Sequence, residues 1–269
     1  MYEEPYRWVE AVGNRRQYLD DQFKQGSPVV GVTYESGILL MTMSKGTPKV
    51  YEIYDRLALG GMGHPADLEK LRFSLLEMAH VEGFNRSPSD VTGSRLIKYG
   101  VAPVIKQAFE EVFKAPFIVK ILLAELGQKA GRDRLLTINY DGRFEEKGSY
   151  AVLAASSAVE QEMVAYLRPQ SMVSLEQAID AAVRAWAVGD RAQSRALEEA
   201  GEHREGNTDS DQPSTDSDAL YAHLQQCLAE KVIECAVLDR CQQGPSKYRA
   251  IGTDELRRLL PKGMSTSST

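Results

Sequence analysis

No apolar run in this 269-residue chain approaches the roughly 20 residues that a membrane helix requires. The N-terminus, Met1-Tyr2-Glu3-Glu4-Pro5, has no basic segment leading into an apolar one. A secretory signal is therefore not expected, and the chain reads as cytoplasmic. Cysteine is scarce. Cys227, Cys235 and Cys241 share one short window, are odd in number and lack the Cys-x-x-Cys spacing of a zinc site. They read as reduced thiols. Histidine is scarce too, and His64 and His80 do not stand at a two-histidine helical spacing with a third, carboxylate ligand. No metal and no cofactor are expected. Gly60, Gly61 and Gly63 precede no Lys-Ser or Lys-Thr pair, which excludes a phosphate-binding loop. Cationic excess is also missing: the net charge is −6, against nucleic acid as a partner, because phosphate recognition needs concentrated Lys and Arg.

The acidity is local. Between Gly189 and Asp218 nine acidic residues face three arginines, which accounts for the whole net charge. This stretch is rich in Ser, Thr and Asp, has too little apolar surface to bury, and is expected to be a disordered surface loop. Ala192–Ala200 has some helical character, and Ala219–Leu224 is expected to rejoin the fold. Elsewhere the 43% apolar content supplies a sizeable core. We expect one domain over 1–269, with a flexible tail at 262–269.

Apolar spacing predicts a helix over about 5–24, with Trp8, Val12, Leu19 and Phe23 on one face and Arg15 and Arg16 interrupting it. A β-hairpin follows, Ser27–Tyr34 and Gly37–Met43. A strand opens near Lys49 and runs through Leu59 to a glycine turn ending at Gly63. A helix from Pro65 to Glu82 presents Leu68, Leu71, Leu75 and Met78. The next helix, about Val91 to Phe113, has Leu96, Val104 and Ala108 as buried candidates. Pro103 lies inside it and predicts a kink near Tyr99 to Pro103, or two shorter helices. Strands are expected at Pro116–Leu126, Leu135–Tyr140 and Tyr150–Ala154, helices at Val159–Arg168 and Leu175–Val188, strands at Lys231–Asp239 and Lys247–Ile251, and a last helix at Asp254–Leu260. Runs of strands and runs of helices, without strict alternation, point to an α+β arrangement with helices packed on antiparallel sheets.

The central stretch is Lys49-Val50-Tyr51-Glu52-Ile53-Tyr54-Asp55-Arg56, continued by Gly60-Gly61-Met62-Gly63-His64-Pro65-Ala66-Asp67. Proline suits a first helical turn, and Asp67 and Glu69 complement the helix dipole there. Lys49, the Tyr54-Asp55-Arg56 triplet, the glycines and the helix after them resemble the α-type subunit of the bacterial 20S proteasome. The resemblance runs from Ser27 to Asp141 and resumes at Leu175–Val188 and Ile233–Leu260. It implies a four-layer αββα sandwich, the N-terminal-nucleophile hydrolase fold. It also implies a non-catalytic subunit of a homo-oligomeric ring, heptameric in the family. Such a ring stacks on β-type subunits, admits unfolded protein substrates, and docks an ATPase or other ring activator by its C-terminus. In this family the helix at 5–24 packs on neighbouring subunits and holds a gate segment. With four residues before Pro5, a short or leaky gate is expected.

Two residues separate the alternatives. In β-type subunits a threonine freed by cleavage after glycine is the nucleophile, its own amine the base, and a lysine lowers the pKa of that amine. Gly26-Ser27 sits at that place, so a self-compartmentalised peptidase maturing at Ser27 is one alternative. A ring without protease activity is another. Against Ser27 stand Pro28 directly after it, Met43 where the β-type site has an aspartate, and Leu153-Ala154-Ala155-Ser156-Ser157 where it has a glycine-containing turn. Lys49 aligns with the lysine that lines the activator pocket of α-type subunits. The plain alternative is a solvated strand-edge lysine. Asp55 and Arg56 read as a structural pair.

Overall fold

The computed structural model describes residues 4–111, 113–202 and 217–260. The chain runs α1 (Glu4–Phe23), β1 (Val29–Tyr34), β2 (Gly37–Ser44), β3 (Val50–Tyr54), β4 (Leu57–Gly63), α2 (Pro65–Asn85), α3 (Gly93–Leu96), a π-helical turn (Ile97–Val101) and α4 (Ala102–Glu110). It continues with β5 (Val119–Glu125), β6 (Arg134–Ile138), β7 (Phe144–Lys147), β8 (Tyr150–Leu153), α5 (Ser157–Leu167), α6 (Leu175–Glu202), α7 (Ser217–Glu230), β9 (Val232–Asp239), β10 (Tyr248–Ala250) and α8 (Thr253–Leu259).

The strands form two antiparallel five-stranded sheets, ordered β10-β9-β2-β1-β8 and β3-β4-β5-β6-β7. Because side chains alternate across a strand, each central strand feeds two apolar layers. In β2, Ile38 and Leu40 point between the sheets, while Leu39, Met41 and Met43 point to the helices. In β5, Leu122 and Ala124 point between the sheets, and Ile121 and Leu123 point to the opposite helices. Three apolar layers result. One joins the first sheet to α5, α6, α7 and α8. One lies between the sheets, and one joins the second sheet to α2, α3 and α4. This is the four-layer αββα sandwich.

Helix α1 covers one end of the middle layer with Leu19 and Phe23, both fully buried. Trp8 and Val9 stay exposed, while Val12 packs partly buried against this layer, so of the expected apolar face only Trp8 is left out. The interrupting arginines have work of their own. Arg15 donates to the carbonyls of Ala108 and Phe109 in the last turn of α4, which the helix leaves unpaired, and to those of Glu111 and Lys114 just beyond it. Arg16 lies over the Phe109 ring.

The structure corrects several expectations. The strand expected from Lys49 through Leu59 is two strands joined at Asp55-Arg56. Gly60, Gly61 and Gly63 belong to β4 and not to a turn. A Cβ at Gly61 would meet Leu68 at 2.3 Å and one at Gly60 would meet Val29 at 2.8 Å, so the glycines admit close layer packing. α2 runs past the expected end at Glu82 to Asn85, and at Gly83 inside it the Tyr54 hydroxyl occupies the space a Cβ would need. Val104 is exposed, although Leu96 is buried as expected. The interruption near Pro103 is present as the π turn between α3 and α4. β7 is a charged edge strand with no apolar signal. The expected loop from Gly189 begins as helix: α6 continues to Glu202, with Asp190 and Gln193 buried. The rest of the expected loop to residue 216, the gate residues 1–3 and the tail at 262–269 lie outside the described residues.

Candidate functional site

Ser27 lies in the segment joining α1 to β1, where β1 enters the middle of the first sheet. Its hydroxyl donates to the Met43 carbonyl at 2.5 Å and accepts from the Trp186 indole nitrogen at 3.0 Å. Neither partner can take up a proton. Thr42 stands 3.5 Å away, and its own hydroxyl donates to the Pro28 carbonyl. Gln193 of α6 donates to the carbonyls of Lys24 and Gly26, both at 2.8 Å, and fixes the peptide before Ser27. Met43 is fully buried against the helices. The turn after β8 is held by Lys120, whose ammonium donates to the carbonyls of Ala154 and Ala155. That ammonium also lies 4.7 Å over the Phe23 ring. Burial pushes Lys120 down from the usual lysine range, against the pull of Asp20, Glu160 and Asp141. Lys120 lines a cleft of about 550 Å³ with Tyr140, Lys147 and Glu160. Sequence reading missed it because a lysine inside an apolar strand shows its role only through the facing turn.

Lys49 lies at the start of β3, the edge strand of the second sheet. Glu234 of β9 reaches across and accepts from the backbone N–H groups of Lys49 at 2.9 Å and Val50 at 2.7 Å. The Lys49 side chain is half-buried, and no described residue accepts a hydrogen bond from its ammonium. Burial pushes its pKa down and Lys231 adds to this, while the Glu234 charge opposes both. Glu234 is itself pushed up by burial, against the two N–H bonds and Lys49. The Lys49 ammonium is thus partly desolvated, with the Glu234 carboxylate as the charge that favours its ionised form. Beside it the Tyr51 hydroxyl donates to the Pro48 carbonyl, and Arg72 lies 4.8 Å over the Tyr51 ring.

His64 accepts from the Ala66 N–H and caps α2. His80 packs edge-on against Tyr54. Arg56 donates to the carbonyls of Leu126 and Ser89, so the expected pair with Asp55 is replaced by bonds to backbone. All three cysteines are free, with Cys227 and Cys235 buried and Cys241 exposed. No described helix is long and apolar enough to cross a membrane.

Comparison with known proteins agrees with this architecture. The family model described as "Proteasome subunit" matches residues 23–198. A "Proteasome subunit alpha" of Streptosporangium roseum is 29% identical over 98% of this chain and 90% of its own length. One from Nocardioides sp. is 26% identical over 92% and 84%. One from Frankia casuarinae is 31% identical over 67% of this chain and 75% of its own. The chain belongs to the proteasome subunit family, as a bacterial α-type member.

Proposed function

We propose that this chain is a non-catalytic subunit of the outer ring of a bacterial proteasome core particle, working in the cytoplasm. The ring stacks on a separate β-type subunit that carries the nucleophile. Its N-terminal segment restricts entry of unfolded substrates. An ATPase or other ring activator inserts its C-terminus beside Lys49, whose ammonium takes the terminal carboxylate.

The observation that carries the reading is the hydroxyl of Ser27. Both of its hydrogen-bonding functions are committed, one to the Trp186 indole and one to a carbonyl. A nucleophile of this class takes its own freed amine as base; in this chain that nitrogen is bonded in the Gly26–Ser27 peptide, whose carbonyl Gln193 holds. The half-buried Lys49 ammonium supports the docking role.

The test is intact and native mass of the purified chain, alone and co-expressed with a β-type subunit, together with peptide cleavage. A full-length chain in a ring that cleaves only with the partner agrees with the proposal. A chain beginning at Ser27, with cleavage lost in Ser27→Ala, overturns it. Docking is read separately by binding a peptide carrying the activator's C-terminal sequence, free or amidated, to the assembled ring. The free carboxylate should bind more tightly, and Lys49→Ala should erase the difference. Equal binding of both peptides to the unaltered ring would remove Lys49 from the docking role.

A further inference from the structure

Three ligand-type side chains meet where α6 faces α7. Asp190 comes from α6. His223 and Cys227 come from α7, four residues apart and therefore on one helical face. The His223 Nε2 lies 3.1 Å from Asp190 Oδ2, Cys227 Sγ lies 3.4 Å from the same oxygen, and Sγ and Nε2 are 3.5 Å apart. The trio is not a nucleophile–base–acid relay, because His223 turns the same ring nitrogen to both partners. In a relay the two ring nitrogens face different groups.

The geometry points to a zinc-type divalent cation bound by Asp190 Oδ2, His223 Nε2 and Cys227 Sγ. Zinc takes imidazole and carboxylate at about 2.0–2.2 Å and thiolate at about 2.3 Å, in tetrahedral array. Those bond lengths place neighbouring ligand atoms about 3.4–3.6 Å apart. The three separations here lie within a few tenths of an ångström of that face. Asp190 and Cys227 are buried and His223 is nearly so, which leaves the fourth position for water from the open side of His223. The second oxygen of Asp190 is held by Lys231 at 2.7 Å, and Lys231 lies 4.8 Å over the Trp186 ring. This outer bond fixes the carboxylate and keeps it ionised, as second-shell partners do at metal centres. The cation displaces the Cys227 thiol proton to solvent as the sulfur–metal bond forms. Bound metal ties α7 to α6 next to β9, the strand that carries Glu234.

The test uses the full-length chain, stripped with a chelator and titrated with cobalt(II). The expected result is a thiolate-to-cobalt charge-transfer band with the strong visible absorption of tetrahedral cobalt, saturating at one equivalent and abolished by zinc. Cys241→Ser keeps the band, Cys227→Ser loses it, and His223→Ala weakens binding by about a hundredfold or more. The unaltered chain alone is decisive should a variant fail to fold. No thiolate band, a band lost in Cys241→Ser, or only the weak absorption of octahedral cobalt on the surface would each overturn the proposal.

Discussion

Replacing Gly63 by alanine tests the junction between β4 and α2. Gly63 has φ +130, and a Cβ there would stand 2.0 Å from the Ile118 carbonyl oxygen. That peptide has no freedom to retreat. Its carbonyl accepts from His64 N at 2.7 Å, and the Ile118 N–H donates to the Asp67 carboxylate at 2.9 Å. Two terms therefore add. A side chain in this backbone region costs about 1–3 kcal/mol. Forcing a methyl group into packed backbone costs about 1–3 kcal/mol more. The sum, about 2–6 kcal/mol, is a large share of a typical stability of about 5–15 kcal/mol. Gly46 is the matched control: its φ is +111, but nothing lies within 4 Å of its Cβ position, so Gly46→Ala carries the first term alone. The assay is urea unfolding at fixed chain concentration, followed by tryptophan emission. Trp186 is fully buried and reports the core, while Trp8 is half exposed. Gly63→Ala should lose at least about 1 kcal/mol more than Gly46→Ala. Equal losses would show that the Ile118 carbonyl moves freely and would refute the argument.

Ser27→Ala removes an acceptor from the buried Trp186 N–H and should lower stability by about 1–3 kcal/mol in urea unfolding, with peptide cleavage by the assembled particle unchanged. Asp190→Asn leaves Lys231 without its charge partner; its thermal midpoint should fall by several degrees, and a midpoint within one degree of the unaltered chain would sink the idea that this ion pair secures α6 to α7. Glu125 is pushed up by burial, against the Gly93 N–H that it binds at 2.8 Å and against Arg134 and Arg56. A raised carboxylate favours folding below its unfolded pKa, and that contribution is lost as pH rises through the folded value. The stability of Glu125→Gln relative to the unaltered chain should therefore grow from pH 4.5 to pH 8, and a difference independent of pH would contradict the assignment.

Individual helices and strands were legible where spacing and burial agree, while the sandwich they build came from the family resemblance. The hairpin of β1 and β2 and the Leu68-Leu71-Leu75 face of α2 carry their own signals. Reading failed where a neighbour decides the local structure. Gly60 and Gly61 look like a turn, but the side chains of Val29 and Leu68 occupy the space their own would need. The acidic count after Gly189 suggested solvent, yet Asp190 is neutralised by Lys231 and Gly189 gives Met163 room between α5 and α6. β7 is charged because it is an edge strand, and its Glu145, Glu146 and Lys147 resist further pairing. At the site, Lys49 stood out only through family resemblance. The His223–Cys227 spacing was present in the sequence, but its meaning depends on Asp190, which only the folded chain brings near.

Helix α1 bears on how this chain could be processed. Phe23 stacks on Tyr140 with ring centroids 5.8 Å apart, the Tyr140 hydroxyl donates to Asp20, and Arg15 is bound to four carbonyls near the end of α4. A leader that exposes a new N-terminus must depart once the bond is cut. Hydrolysis at Gly26–Ser27 would leave this one seated by its own side chains, a nick rather than a release. Burial of Leu19 and Phe23 alone retains it by about 1.5–3 kcal/mol each. The segment that precedes Gly26–Ser27 is in this structure a packed wall of the layer between the sheets.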